Sequence, residues 1–138
     1  MTELELQIVS IVNEIDDLTD HMNILLPLPL TDDNSEDLSE VARSYEKRQE
    51  LIHKLDETAD ACLAEKAAED PYAWGQAHNA NCYCAKAIKQ LDKVCEEKRI
   101  STEEYMNIFT AINNELHSTR SFIISRTMAK VKTSSGKI

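Results

Sequence analysis

The N-terminal stretch contains the pattern that most restricts how this chain can fold. Seven apolar residues, separated alternately by four and three positions, fall on one side of a helix over Thr2–Leu26. They are Leu4, Ile8, Ile11, Ile15, Leu18, Met22 and Leu25. A narrow apolar stripe of this kind packs against a partner helix, and the acidic residues beside it indicate a face exposed to water. The stretch therefore predicts packing rather than chemistry.

The rest of the chain has few residues that interrupt helices. Only two glycines and three prolines occur in 138 residues, whereas a sheet protein needs many more turn residues. We predict an all-α fold, an antiparallel up-down four-helix bundle with long helices. Residues 1–131 are expected to form one domain and 132–138 a flexible, polar C-terminal tail.

Local patterns divide the chain into four helices. Two residue pairs have the spacing of a capping box, Thr2 with Glu5 and Ser101 with Glu104. Prolines mark other boundaries, because Pro27 ends the first helix and Asp70–Pro71 begins the third. The predicted helices cover 2–26, about 35–68, 71 to about 98, and 102 to about 131. A leucine-containing connector with two prolines, residues 26–30, joins the first two and is expected to close one end of the core.

Polar residues interrupt the apolar stripes of the second and third helices. Arg48 occupies a stripe position, and we expect its methylene groups to cover the core while the guanidinium reaches Glu46, Glu50 or water. Asn81 lies on the stripe of the third helix, where an amide can fix the register by pairing across the core. The remaining stripe positions include Leu38, Val41, Tyr45 and Ile52 in the second helix and Ile108 in the fourth.

The charge distribution restricts the possible partners. A formal charge of −10 argues against a nucleic-acid surface, and no apolar run is long enough to cross a bilayer. The acidic N-terminal sequence lacks the pattern of a secretory signal, so we expect a cytoplasmic protein. All 25 acidic residues lie at or before Glu115, and only basic charges follow. These cations either stabilise the C-terminal end of their own helix or form a basic docking site.

Cysteine and histidine residues offer the nearest approach to a chemical site. His78 and Cys82 are one helical turn apart, but Cys82 and Cys84 differ by about 200° around a helix and cannot bind one ion together. Four cysteines without C-x-x-C spacing predict reduced thiols, of which Cys82 is expected to be the accessible one. Glu50 and His53 form a single Glu-x-x-His pair, whereas a di-iron site needs two pairs and further glutamates. We predict no cofactor, no metal and no catalytic residue.

An excess of apolar residues in the fourth helix is the most informative irregularity. Phe122, Ile123 and Ile124 are consecutive and span about 200° of a helix, so one stripe cannot bury all three. At least one is expected to face outward or to meet a second surface. The predicted partner-binding residues, which combine apolar anchors with neighbouring cations, are Phe122, Ile124, Met128, Val131, Arg120 and Arg126.

The long first helix followed by the sequence Glu-Lys-Arg-x-x-Leu-Ile-x-x-Leu, residues 46–55, resembles flagellar type III export chaperones of the FlgN/FliT kind. The similarity covers the first two helices, and the fourth matches in general character. The resemblance implies a chaperone that prevents late flagellar subunits from assembling prematurely, by binding helical ends of its client through its C-terminal helices. It leaves the client unassigned.

The expected function is therefore the binding of a partner protein's helix by a non-enzymatic helical bundle, most specifically as a cytoplasmic flagellar export chaperone. Two alternatives come from other classes. One is a structural or regulatory bundle that forms a homodimer through its first helix. The other is a thiol or metal-dependent enzyme that uses Cys82, Cys84 and His78.

Overall fold

A computed structural model of the chain describes residues 1–25 and 35–135, and these residues form four α-helices and no strand. The helices are α1 (Glu3–Leu25), α2 (Ser35–Glu69), α3 (Pro71–Glu96) and α4 (Thr102–Ser135). The predicted all-α fold with four long helices is confirmed. The predicted connector at residues 26–30 and the last three residues of the predicted tail lie outside the described residues. Helix α4 itself continues four residues beyond the expected boundary at residue 131.

The helix starts follow the local sequence patterns. At α1, the Thr2 amide donates to Glu5 Oε1 at 3.1 Å, and the Glu5 amide donates to Thr2 Oγ1 at 3.2 Å. At the start of α4, the Glu104 amide donates to Ser101 Oγ at 3.1 Å, and the Ser101 hydroxyl donates to Glu104 Oε1 at 3.1 Å. At α3, Asp70 Oδ1 accepts the Ala73 amide at 3.1 Å. Each cap satisfies backbone donors that the first helical turn leaves without partners.

Helix α3 ends in a left-handed turn that contains no glycine. Lys98 has a φ of 56°, and its amide donates to the Cys95 carbonyl at 3.0 Å. The next amide, that of Arg99, donates to the Val94 carbonyl at 3.2 Å. These are the two bonds of a Schellman motif, which reverses the chain just after Glu96. The helix therefore ends two residues before the predicted position at Lys98.

The chain divides into two compact units, Met1–Thr58 and Ala59–Ile138. The N-terminal unit contains α1 and the first part of α2, and the C-terminal unit contains the rest of α2 with α3 and α4. Within each unit, the hydrogen bonds between consecutive helices are compatible with the predicted up-down order. The single domain over residues 1–131 stays a prediction.

In the N-terminal unit, two side-chain bonds connect α1 to α2. His21 Nε2 lies 3.0 Å from Glu40 Oε1, and Arg48 Nε donates to Thr19 Oγ1 at 2.9 Å. The prediction that Arg48 reaches Glu46, Glu50 or water gave the wrong partner here, because a hydroxyl on the facing helix lies within reach of its half-buried side chain. The bonds pair a later residue of α1 with an earlier residue of α2, which makes the two helices antiparallel.

The apolar stripe of α1 is buried as predicted. Ile8, Ile11, Ile15 and Met22 are each at most 9% exposed, and the remaining three stripe residues are half-buried. The four buried residues of the stripe are thus already covered within a single chain. A second copy would therefore have to displace existing packing in order to use this stripe for dimerisation.

In the C-terminal unit, Asp60 is the centre of a polar network that joins three helices. Its Oδ1 accepts from Asn81 Nδ2 at 3.1 Å and from Arg120 Nε at 2.9 Å, and its Oδ2 accepts from Arg120 Nη2 at 2.8 Å. Thr119 Oγ1 in turn donates to Asn81 Oδ1 at 2.8 Å. The pairing of Asn81 across the core is confirmed, and we call these four residues the Asp60 network.

Around the Asp60 network the core is tightly closed. Its fully buried side chains include Leu63, Ile123 and Thr127, together with Cys62 and Cys84. The two cysteines therefore fill apolar space, as cysteine on a packed helix face usually does.

Three residues on the predicted apolar stripes of α2 and α4 are exposed, namely Leu38 at 40%, Tyr45 at 53% and Ile108 at 43%. The stripe pattern correctly identifies a helix face but not how much of that face a partner helix covers.

Candidate partner-binding surface

The apolar triplet in α4 is divided among three environments. Ile123 is fully buried, Ile124 is half-buried, and Phe122 is 40% exposed. The expectation that at least one of the three faces outward is therefore met by Phe122. Because successive residues differ by 100°, burying Ile123 at the centre places its two neighbours on opposite sides of the packed face.

The predicted binding residues consequently do not form one surface. Ile124, Met128 and Val131 follow the i, i+4, i+7 spacing and lie together on one side of α4, where all three are half-buried. Phe122 and Arg126 lie on the other side, about 200° around the helix from Ile124. We call the first group the aliphatic flank and the second the aromatic flank.

Phe122 is held in place by residues of α3 and α4. Its ring centroid lies 5.4 Å from that of Trp74, with the two planes tilted by 53°. The guanidinium carbon of Arg126 lies 5.0 Å from the centroid of the Phe122 ring. On the Trp74 ring, the ammonium nitrogen of Lys66 lies at 5.5 Å. Two cations thus flank a pair of aromatic rings, an arrangement that stabilises both rings and restricts their rotamers.

Trp74 and Lys66 are members of this cluster that sequence reasoning did not assign to the site. Trp74 lies seven positions before Asn81, on the same apolar stripe of α3, and the structure shows it half-buried. Nothing in the local sequence connects it to Phe122, which is 48 positions away. The contact arises only because α3 and α4 pack in an antiparallel pair.

Arg120 has a different role from the other predicted cations. Its guanidinium is bound on two nitrogens by Asp60, and its side chain is only 19% exposed. A two-point arginine–carboxylate pair is both stronger and more directional than a single hydrogen bond. Arg120 therefore stabilises the packing of α4 against α2, whereas Arg126 is exposed beside Phe122.

The thiol and imidazole groups of α3 are only partly brought together. Cys82 is exposed, as expected, and its Sγ lies 3.7 Å from His78 Nε2. Cys84 is buried; burial, and then the negative charge of Glu115, raise the pKa of its thiol. In the ranges 1–25 and 35–135, no group of three or more potential metal ligands occurs. A raised thiol pKa disfavours the thiolate that nucleophilic chemistry requires.

A second pair of rings lies near the start of α4. Tyr105 and Phe109 stack with centroids 5.7 Å apart, and the Tyr105 hydroxyl donates to Asp92 Oδ1 at 2.6 Å. This hydrogen bond to a carboxylate is the largest cause of the raised pKa of Tyr105. The hydrogen bond from Tyr105 to Asp92 connects the first turn of α4 to the last part of α3.

No helix in the described part of the chain combines the length and the apolar character needed to cross a bilayer. Comparisons with models of protein families, with curated protein sequences and with solved structures give no match.

Proposed function

We propose that this protein is a non-enzymatic helical protein that binds a helical segment of a partner protein on the aromatic flank of α4. The observation that supports the proposal is the state of Phe122. Its ring is 40% exposed, yet it is held between Trp74 and Arg126. Aromatic and arginine side chains that are ordered before binding are the residues that most often dominate the energy of a protein interface.

The client contact fits a helix packed lengthwise along α4. A helix presents apolar side chains at i, i+3 or i+4 and i+7, so it can contact a ring at one level and an aliphatic chain one turn away. The aliphatic flank of Ile124, Met128 and Val131 lies on the opposite side of α4 and is not reached by the same client helix in this proposal. Because the two flanks lie on opposite sides of α4, substitutions on each of them separate their contributions.

In its most specific form, the proposal makes the protein a cytoplasmic flagellar export chaperone. The resemblance of residues 46–55 to that class of chaperones supports this form, together with the long helices and the net acidic charge. Export chaperones of this class shield helical ends of their clients. The client here is then a late flagellar subunit, whose free helix requires an apolar cover before assembly.

Titration calorimetry with purified late flagellar subunits of the source organism tests both levels of the proposal. We expect one subunit to bind with a Kd near 1 μM, and Phe122→Asp to weaken binding at least tenfold. Ile124→Asp is expected to weaken it less. Asn113→Asp adds the same charge at an exposed position of α4, on the side of the helix opposite Phe122, and serves as the matched control, with unchanged affinity.

Two results contradict the proposal at different levels. If none of the subunits binds, the protein is not an export chaperone for them. If a subunit binds the Phe122→Asp variant as tightly as the unchanged protein, the aromatic flank is not the binding surface. Helical content measured by circular dichroism shows that each variant is folded before its affinity is compared.

A further inference from the structure

The N-terminal unit has an uncovered apolar surface that the proposed function does not use. On α2, Leu38 and Tyr45 are 40% and 53% exposed, and Val41 and Ile52 are half-buried. Their spacing of three, four and seven positions places all four on one side of the helix. We call this set the α2 stripe. Two large apolar side chains open to water, in line with two half-buried ones, are typical of a protein-binding site.

The bonds to α1 show which side of α2 is already occupied. Glu40 and Arg48 bind α1, and Ser44, which is 9% exposed, lies between them on the same side of the helix. Tyr45 is 100° further around α2 than Ser44 and is open. Helix α1 therefore reaches the stripe at Arg48 and leaves Leu38 and Tyr45 uncovered. We call the α2 stripe together with the adjoining side of α1 the groove.

Acidic side chains form the edges of this groove. On α1, Thr19 faces Arg48. Asp16 lies about one turn before Thr19, and Asp20 follows Thr19 directly. On α2, Glu46 follows Tyr45 directly, and all three of these carboxylates are exposed. The N-terminal unit as a whole is also acidic, because residues 1–58 contain 15 acidic and 4 basic residues, a formal charge of −11. A field of one sign over an apolar surface attracts a partner of the opposite sign.

We propose that this groove binds a basic amphipathic helix of a partner protein, with apolar residues on the α2 stripe and lysine or arginine residues facing Asp16, Asp20 and Glu46. A second copy of the chain is disfavoured as the occupant, because pairing this surface with itself brings two units of charge −11 together. The proposal concerns a different surface and a different ligand charge from the aromatic flank, and it stands independently of the proposed function.

A pair of synthetic peptides provides the test on the full-length protein. The first is a helical peptide of about 18 residues built from leucine and lysine in an amphipathic pattern, and the second has glutamate in place of lysine. Fluorescence anisotropy is expected to give a Kd in the micromolar range for the basic peptide and no binding of the acidic peptide. Raising NaCl from about 50 mM to about 300 mM is expected to weaken binding several-fold.

Substitutions that leave the charge unchanged show whether the peptide binds through apolar contacts in the groove or through charge attraction alone. The double variant Leu38→Ser, Tyr45→Ser keeps the charge and is expected to weaken binding at least tenfold. Tyr72 and Tyr83 are 101% and 74% exposed in the C-terminal unit, so Tyr72→Ser, Tyr83→Ser is the matched control and is expected to keep full affinity. Phe122→Asp is also expected to leave this affinity unchanged, which distinguishes this surface from the aromatic flank.

Three outcomes overturn the proposal. Equal binding by the Leu38→Ser, Tyr45→Ser variant and the unchanged protein shows attraction by charge alone. An equal loss in the control variant shows that exposed tyrosines act non-specifically. Light scattering that finds a dimer of the unchanged protein, dissociated by the same Leu38 and Tyr45 substitutions, assigns the groove to a second copy. Because the two substituted residues are exposed, we expect the variant to fold, and circular dichroism checks this directly.

Discussion

The two units are built from the same kind of helix but differ in charge and in how their helices are joined. Residues 1–58 have a formal charge of −11, and residues 59–138 have a charge of +1. In the N-terminal unit, the contacts between α1 and α2 include the exposed pair His21–Glu40 and the hydrogen bond from Arg48 to Thr19. The C-terminal unit joins three helices through the Asp60 network. Internal polar contacts therefore specify packing in one unit, whereas the other leaves an apolar stripe and many charges open to solvent.

Removal of one carboxylate from each unit gives the largest expected difference. Asp60→Ala removes the carboxylate that accepts two hydrogen bonds from Arg120 and one from Asn81 in a half-buried site, and should lower the free energy of unfolding by about 2–3 kcal/mol. Glu40→Ala removes an equal charge from an exposed pair and should cost less than about 0.5 kcal/mol. Urea unfolding followed by circular dichroism measures both values. Equal losses of stability in the two variants would show that the helices within each unit are joined by polar contacts of similar strength.

The second prediction is a smaller difference between the units, in how strongly salt slows their amide hydrogen exchange. Screening reduces the self-repulsion of the acidic N-terminal unit, so amide hydrogen exchange in residues 36–56 should slow several-fold between about 20 mM and about 500 mM NaCl. Amides of α3, in the nearly neutral unit, should change little. Exchange followed by mass spectrometry reports both regions in one sample. Similar slowing in both regions would indicate a general effect of salt and would contradict the role given to local charge.

The smallest expected effect is a gain of stability in the C-terminal unit. Lys98 holds a left-handed conformation that costs about 1 kcal/mol for a residue with a side chain, so Lys98→Gly should raise the free energy of unfolding by about 0.5–1 kcal/mol. Lys89→Gly makes the same replacement at an exposed position inside α3 and should lower it by about 1 kcal/mol. Both values come from the same urea experiment. A loss in Lys98→Gly would mean that the lysine side chain stabilises this turn.

Features determined by residues close in sequence were predictable. Both capping boxes depend on side chains three positions apart, and Asp70–Pro71 combines a cap with the proline that suits the first helical position. The division of the apolar triplet followed from the 100° rotation per residue. The end of α3 was less predictable, because a lysine occupies a left-handed position that glycine usually takes.

Features that depend on contacts between distant helices were not predictable. The pattern placed Asn81 on the packed face but did not identify Asp60 or Thr119 as its partners. It assigned Arg48 to nearby acidic residues, whereas the tertiary fold offers it the hydroxyl of Thr19. The same limitation applies to the aromatic flank, because the pairing of Trp74 with Phe122 requires the antiparallel packing of α3 and α4. Exposure of Leu38 and Tyr45 depends on the length over which other helices cover α2.

The Asp60 network also has a consequence for the order in which the chain folds during synthesis. Its members are separated by 21, 38 and 60 positions, so Arg120 is translated 60 positions after Asp60. While α4 is still being translated, Asp60 lacks the guanidinium of Arg120, and only pairs closer in sequence, such as His21–Glu40 and Asp60–Asn81, can form. Long-range contacts must first overcome the entropy of closing large loops, so they form late. Completion of the C-terminal unit, and with it the presentation of Phe122, is therefore delayed until α4 has been translated.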